Sequence, residues 1–176
     1  MIEKKKLINI LTIINFIVLI LFAIKDNLLS SNLSRIANMT LLNYIEFIIV
    51  SLLFGYDMFL MLKRLNQNRL AYIGFISLLI GGIVPYNYLN TLAFSSNLHL
   101  ISGLLSIIII FIIELLFINH LGVINNKYKN LLLSGLVIVA FITLFLYGKY
   151  RFMNSLNELI YLCFVLKSIS VINNVL

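Results

Sequence analysis

Residues 98–121 read LHLISGLLSIIIIFIIELLFINHL, one apolar run opened by His99, interrupted by Glu114 and closed by His120. At about 1.5 Å of rise per residue, a helix of this length crosses a hydrocarbon core of roughly 30 Å. A carboxylate inside such a span needs polar company from neighbouring helices. The run therefore predicts a bundle, completed by the other apolar runs of the chain.

Composition points the same way. Of 176 residues, 62% are hydrophobic and only 11% charged, and the mean hydropathy is +1.08. A soluble domain of this length needs more polar surface. The apolar runs are continuous rather than alternating, which selects helices over a β-barrel. The net charge of +7 is carried by short basic clusters between the runs. There it reports topology and contact with lipid headgroups. Basic and aromatic residues are not interleaved as in a nucleic-acid binder, so no nucleic-acid partner is expected. The lone Cys163 lies in an apolar run and excludes an internal disulfide.

The expected fold is all-α: a polytopic membrane protein, one domain over residues 1–176, with six transmembrane helices. The spans are about 7–24, 41–62, 70–84, 98–121, 131–147 and 156–175. The first follows MIEKKK and runs into Lys25, Asp26 and Asn27 without a small-x-small cleavage pattern. It reads as an uncleaved span, not a signal peptide. Residues 25–40, KDNLLSSNLSRIANMT, form a polar connection with scope for a short interfacial helix. The third span carries Gly74, Gly81 and Gly82 and ends at Pro85. Residues 125–130, NNKYKN, read as a basic turn. The fifth span has only Ser134 and Thr143 as polar groups before Tyr147 and reads as lipid-facing.

Counting Lys and Arg sets the orientation. With the N-terminus inside, eight (Lys4, Lys5, Lys6, Lys63, Arg64, Arg69, Lys127, Lys129) are cytoplasmic and four (Lys25, Arg35, Lys149, Arg151) are outside. Both ends are expected in the cytoplasm of a bacterial inner-membrane protein.

With that topology the polar residues sort into two depths. An outer layer holds Glu46, His99 and Glu158, with Arg35, Tyr44, Tyr86, Tyr88 and Arg151 near the same level. It reads either as an outward-facing pocket or as structure. In the structural reading Ser155-x-x-Glu158 is a capping box on the sixth span, His99 closes the start of the fourth, and Glu46 pairs with Arg35. An inner layer holds Asp57, Glu114 and Lys167. It reads as an interhelical charge clamp or as an ion or proton relay. Glu46 and Asp57 stand eleven residues apart, about three turns, so they share one helix face with Val50, Phe54 and Gly55. His99 and His120 lie at opposite membrane faces and cannot share a metal, and no HExxH or paired-Cys spacing occurs. No metal or cofactor is expected, and neither a phosphate loop nor a nucleophile elbow is present.

Three segments, LSRIANM (33–39), PYNYLNTLAFSSNLHLIS (85–102) and NSLNELIYL (154–162), form a pattern. It resembles bacterial six-helix membrane proteins of unknown function, distantly related to the Frag/DRAM-like proteins. The resemblance implies Ser34, His99 and Glu158 as the positions of interest, with Arg35 a departure where an acid is expected. It implies no particular reaction.

The leading expectation is a protein without catalytic chemistry that binds a small or lipidic ligand, or a membrane-protein partner. Binding would use Arg35, Glu46, Tyr86, His99 and Glu158. Alternatives are the substrate-binding subunit of a vitamin-type importer, an intramembrane lipid hydrolase with an acid–base site of His99 and Glu46 or Glu158, and a bacteriocin-immunity protein. The Ala-x-x-x-Ala stripe expected for the importer subunit is absent from the first span.

Overall fold

A computed structural model describes all residues except Met1, Asn87, Tyr88, Asn90, Thr91, Phe152 and Leu176, and the side chains of residues 2–4 and Asn68. Tyr88, placed in the outer layer above, lies outside the described residues. The described residues form seven helices and no strand. They are α1 (Ile2–Ala23), α2 (Leu33–Ala37), α3 (Leu41–Arg64), α4 (Asn68–Ile83), α5 (Phe94–Ile124), α6 (Asn126–Tyr150) and α7 (Ser155–Val175). Five of them, α1, α3, α5, α6 and α7, are long and apolar enough to cross a membrane, and α4 is a shorter apolar helix. The polar connection before residue 41 does hold a short helix, α2.

Two boundaries differ from expectation. The basic turn at 125–130 is helical from Asn126 onward. Asn125 caps α6, its side chain accepting from the Lys127 and Tyr128 N–H groups at 3.0 and 3.4 Å. Likewise, α5 starts at Phe94, four residues before the apolar run. Polar residues at a helix end remain helical when caps and solvent satisfy the end groups, so hydropathy marks the buried length and not the helix.

The chain divides into two compact units, Met1–Leu33 with Glu114–Leu176, and Ser34–Ile113. In the first, α1 lies antiparallel on α7. Asn173 Nδ2 donates to Lys5 O at 2.9 Å and to Asn9 Oδ1 at 2.7 Å, and Lys5 Nζ donates to Asn174 O at 2.9 Å. At the opposite end, the Ser155 and Leu156 N–H groups donate to Ser31 O at 2.6 Å and Leu28 O at 3.0 Å. The face α1 buries is Ile8, Thr12, Asn15, Leu19 and Phe22, a 4-3-4-3 spacing that keeps one stripe on a partner helix. On α6, Leu132, Leu136 and Val139 are buried, whereas Val137, Phe141, Leu144 and Phe145 are exposed. That outer face is apolar along its length, as a lipid-facing helix requires.

In the second unit α3 and α4 form a hairpin. The turn is a Schellman motif: the Asn66 N–H donates to Lys63 O at 3.1 Å and the Gln67 N–H to Leu62 O at 2.9 Å. Asn66 takes the left-handed conformation there, with φ of 60°. Small residues allow the close approach above the turn. A Cβ on Gly82 would stand 2.8 Å from Ser51 Cβ, and one on Gly74 3.1 Å from Ile109 of α5. Val50, Phe54, Gly55 and Asp57 are buried, and Glu46 is half-buried. The stripe carrying both acids thus faces protein.

The overall distribution is that of a protein in lipid. Isoleucine, leucine and phenylalanine dominate the exposed residues, while asparagines, serines, Asp57 and Glu114 lie inside.

Candidate functional site

Pro85 creates the site. A proline forces the preceding residue into extended backbone, and Val84 has φ −84° and ψ 114°. The last carbonyls of α4 then lack helical donors. Two side chains supply them. The Tyr44 hydroxyl, from the first turn of α3, donates to Ile83 O. The His99 Nδ1–H, from the second turn of α5, donates to Val84 O at 2.7 Å. A carbonyl only accepts, so this contact places the imidazole proton on Nδ1. Neutral His99 then presents Nε2 as an acceptor, and the Ser34 Oγ–H donates to it at 3.0 Å. The Tyr86 ring lies beside the imidazole, its centroid 5.8 Å away.

Ser34 is held by α2 and its contacts. Asn43 Nδ2 donates to Ile36 O at 3.1 Å, and Asn38 Nδ2 donates to Ser34 O at 2.7 Å. The Asn43 N–H is in turn bound by Thr40 Oγ1 at 3.1 Å, the N-cap of α3. Ser34 and His99 are half-buried and Arg35 is exposed beside them. Glu46 stands one turn after Asn43, so it shares the face that Asn43 turns toward α2.

The structure revises several sequence-based roles. His99 closes the C-terminus of α4, not the start of its own helix. Asn154 caps α7, accepting from the Asn157 N–H at 3.0 Å, so the capping box expected at Ser155 is not the one formed. Glu158 instead serves α2: its Oε2 accepts from the Leu33 N–H at 2.7 Å. Carboxylates favour such helix N-termini. Arg35, Glu46, Tyr86 and His99 belong to the second compact unit, and Glu158 belongs to the first.

The inner layer is likewise shared between the two units. Asp57 and Glu114 are both 0% exposed, but they belong to different units. Lys167 is exposed, and no basic side chain among the described residues hydrogen-bonds to either Glu114 oxygen. Glu114 and Lys167 therefore do not form the clamp expected of them. The reason is register: on α7 it is Val165, Leu166, Ser168 and Ile169 that are buried, and Lys167 falls between them on the outer side.

Several polar residues between helices escaped the sequence reading: half-buried Asn9 with buried Thr12 and Asn15 on α1, and Asn157, Tyr161, Ser168 and Asn173 on α7. Their signal is present. Positions 9, 12 and 15 repeat every three residues inside an apolar run, and 157, 161 and 168 fall on one face of a helix. Uncharged polar residues cost less to bury than ionised ones and so stand out less in an apolar run.

No protein-family model, curated protein or solved structure matches this chain. Its fold alone defines its class, an all-helical protein of the multi-pass membrane type.

Proposed function

We propose that the chain is a six-span protein of a bacterial cytoplasmic membrane with both ends in the cytoplasm. In this reading it binds a small or lipidic ligand by its polar headgroup at the outward-facing cluster around Ser34 and His99. The antiparallel contact of α1 and α7 supports an even number of crossings. Five crossings would make those two helices parallel, so α4 is counted as the sixth. Its 16 residues give about 24 Å, short for a span but within reach of a locally thinned bilayer. The eight-to-four excess of basic residues supports the orientation.

The observation that carries the binding reading is the fixed imidazole. With Nδ1 committed to Val84 O, Ser34 and Nε2 form an oriented donor–acceptor pair at a half-buried position. Arg35 supplies a guanidinium at the rim, suited to phosphate or carboxylate, and Tyr86 an amphipathic wall. Glu158 is left out of this site because its carboxylate serves Leu33. The resemblance to the Frag/DRAM-like layout draws attention to the same Ser34 and His99. Native mass spectrometry of the purified chain tests the reading. A bound species on the wild type should be lost from Arg35→Ala and His99→Ala. An unliganded wild type, or variants that keep the same species, would refute it.

One observation favours a second reading, hydrolysis of a lipid ester. A serine hydroxyl donating to a histidine whose other nitrogen is anchored is the arrangement of a nucleophile with its general base. Here a backbone carbonyl replaces the orienting carboxylate. A fluorophosphonate probe should then label Ser34, and His99→Gln should abolish the labelling. Absence of label on the wild type ends this reading.

A further inference from the structure

We propose that the turn end of the α3–α4 hairpin binds the phosphate of an anionic phospholipid through Lys63, Arg69 and Tyr72. This is a defined site, beyond the general attraction of basic turns for lipid headgroups. It does not depend on the Ser34–His99 cluster, which lies at the other end of the hairpin.

Two helix faces build it. On α3, Tyr56, Phe59 and Lys63 stand at i, i+3 and i+7 and share one face. On α4, Arg69 and Tyr72 stand three residues apart beside the turn, a spacing that brings Cβ atoms within about 5–6 Å. The two faces meet through their rings. Phe59 lies edge-on to Tyr72 with centroids 5.4 Å apart, and 5.7 Å from Phe75. The Lys63 ammonium rests over both helices' rings, 5.0 Å from the centroid of Phe59 and 5.7 Å from that of Tyr72. Attraction of the cation to the two ring faces fixes where its charge sits. Lys63, Arg69 and Tyr72 are all exposed, so the fixed charge is open to an anion.

The hairpin has no acid to offer them. Between Asp57 and Glu114 the charged residues are Lys63, Arg64 and Arg69, all positive. Asp57 itself is 0% exposed, and six residues before Lys63 it falls on a different face of α3. The counter-charge at this end therefore comes from outside the hairpin.

The surroundings select the occupant. A guanidinium, an ammonium and a phenol hydroxyl suit a phosphate. They stand at the end of α3, which is long and apolar enough to cross a membrane. Next to them the exposed surface turns apolar, with Ile73 and Ile76 on α4 beside Tyr56 on α3. A molecule that meets both regions carries a phosphate and hydrocarbon chains, as a phospholipid does. A zwitterionic headgroup brings an ammonium of its own, which two fixed cations repel, so the site favours a net negative lipid.

The test is native mass spectrometry of the purified full-length chain in non-ionic detergent. The chain is titrated with phosphatidylglycerol or with phosphatidylcholine of the same acyl chains. The wild type should bind phosphatidylglycerol more tightly. Lys63→Gln and Arg69→Gln should each weaken that binding about fivefold, and the double variant about thirtyfold, with phosphatidylcholine unmoved. Lys63→Arg should retain it. Lys25→Gln removes a lysine that also lies over a ring, that of Phe22 at 5.7 Å, but beside Asp26, and should leave binding unchanged. His99→Ala should keep the preference, which separates this site from the cluster at the other end. Equal binding of the two lipids by the wild type overturns the proposal, as does an equal loss in Lys25→Gln or a loss confined to His99→Ala. Displacement of the lipid by excess inorganic phosphate also overturns it, since the site would then take free phosphate. Should Lys63→Gln fail to fold, Arg69→Gln, which removes neither ring contact, decides alone.

Discussion

His99 and Glu114 stand on the same helix, fifteen residues apart, and their surroundings are opposites. Both ring nitrogens of His99 have partners, Val84 O at 2.7 Å and Ser34 Oγ at 3.0 Å. Glu114 is fully buried with Ser168 beside its carboxyl, and no basic group among the described residues pairs with it. The first is a polar group used to finish a helix that proline cut short. The second is held in apolar surroundings at a net cost to the fold. A polar side chain in a membrane protein is thus explained by its partners and not by its depth. Where partners are complete, structure accounts for the residue, and any function is added to that. Where they are missing, structure alone does not account for it.

This contrast can be broken by substitution. His99→Leu strands the Val84 carbonyl and the Ser34 hydroxyl together, and should destabilise the protein by about 2–3 kcal/mol. An unfolding titration in sodium dodecyl sulfate against wild type measures it, and a change below the scatter of the assay would mean His99 closes nothing. Glu114→Leu should act in the opposite direction, leaving stability unchanged or raising it by about 1–2 kcal/mol, since a buried carboxyl with no counter-charge gives way to an apolar group. A loss as large as that of His99→Leu would erase the distinction between the two positions. Tyr44→Phe removes only the bond to Ile83 O and should cost about 1 kcal/mol in the same titration. Ser34→Ala should cost least, about 0.5 kcal/mol, because the Nε2 it leaves is only half-buried. Combined with His99→Leu, it should show coupling of about 0.5–1 kcal/mol, as expected for residues in contact.

Much of the architecture was legible from hydropathy. Long apolar runs report helices in lipid because only a helix satisfies its own backbone there. The stop at Pro85 was legible for the same local reason, since a proline removes a donor and clashes with the preceding turn. The lipid-facing character of α6 followed from its near-total lack of polar groups. Less legible were the partners of each charge. Lys167 reads as a mate for Glu114 by depth, but a rotation of α7 by one position sends it outward. Glu158 reads as a cap of its own helix by spacing, but Asn154 takes that place and frees Glu158 for Leu33.

The sequence alone determined that this chain lives among apolar neighbours, that it crosses them as helices, and which residues are ionisable within them. These follow from composition and from interactions within about four residues, where helix geometry is fixed. Only the tertiary structure decided that His99 meets Val84 and Ser34, that α1 and α7 lie antiparallel, and that Glu114 has Ser168 beside it while Lys167 faces outward. Those outcomes depend on helix rotation and on contacts 15 to 169 residues apart in the chain, which a one-dimensional pattern does not encode.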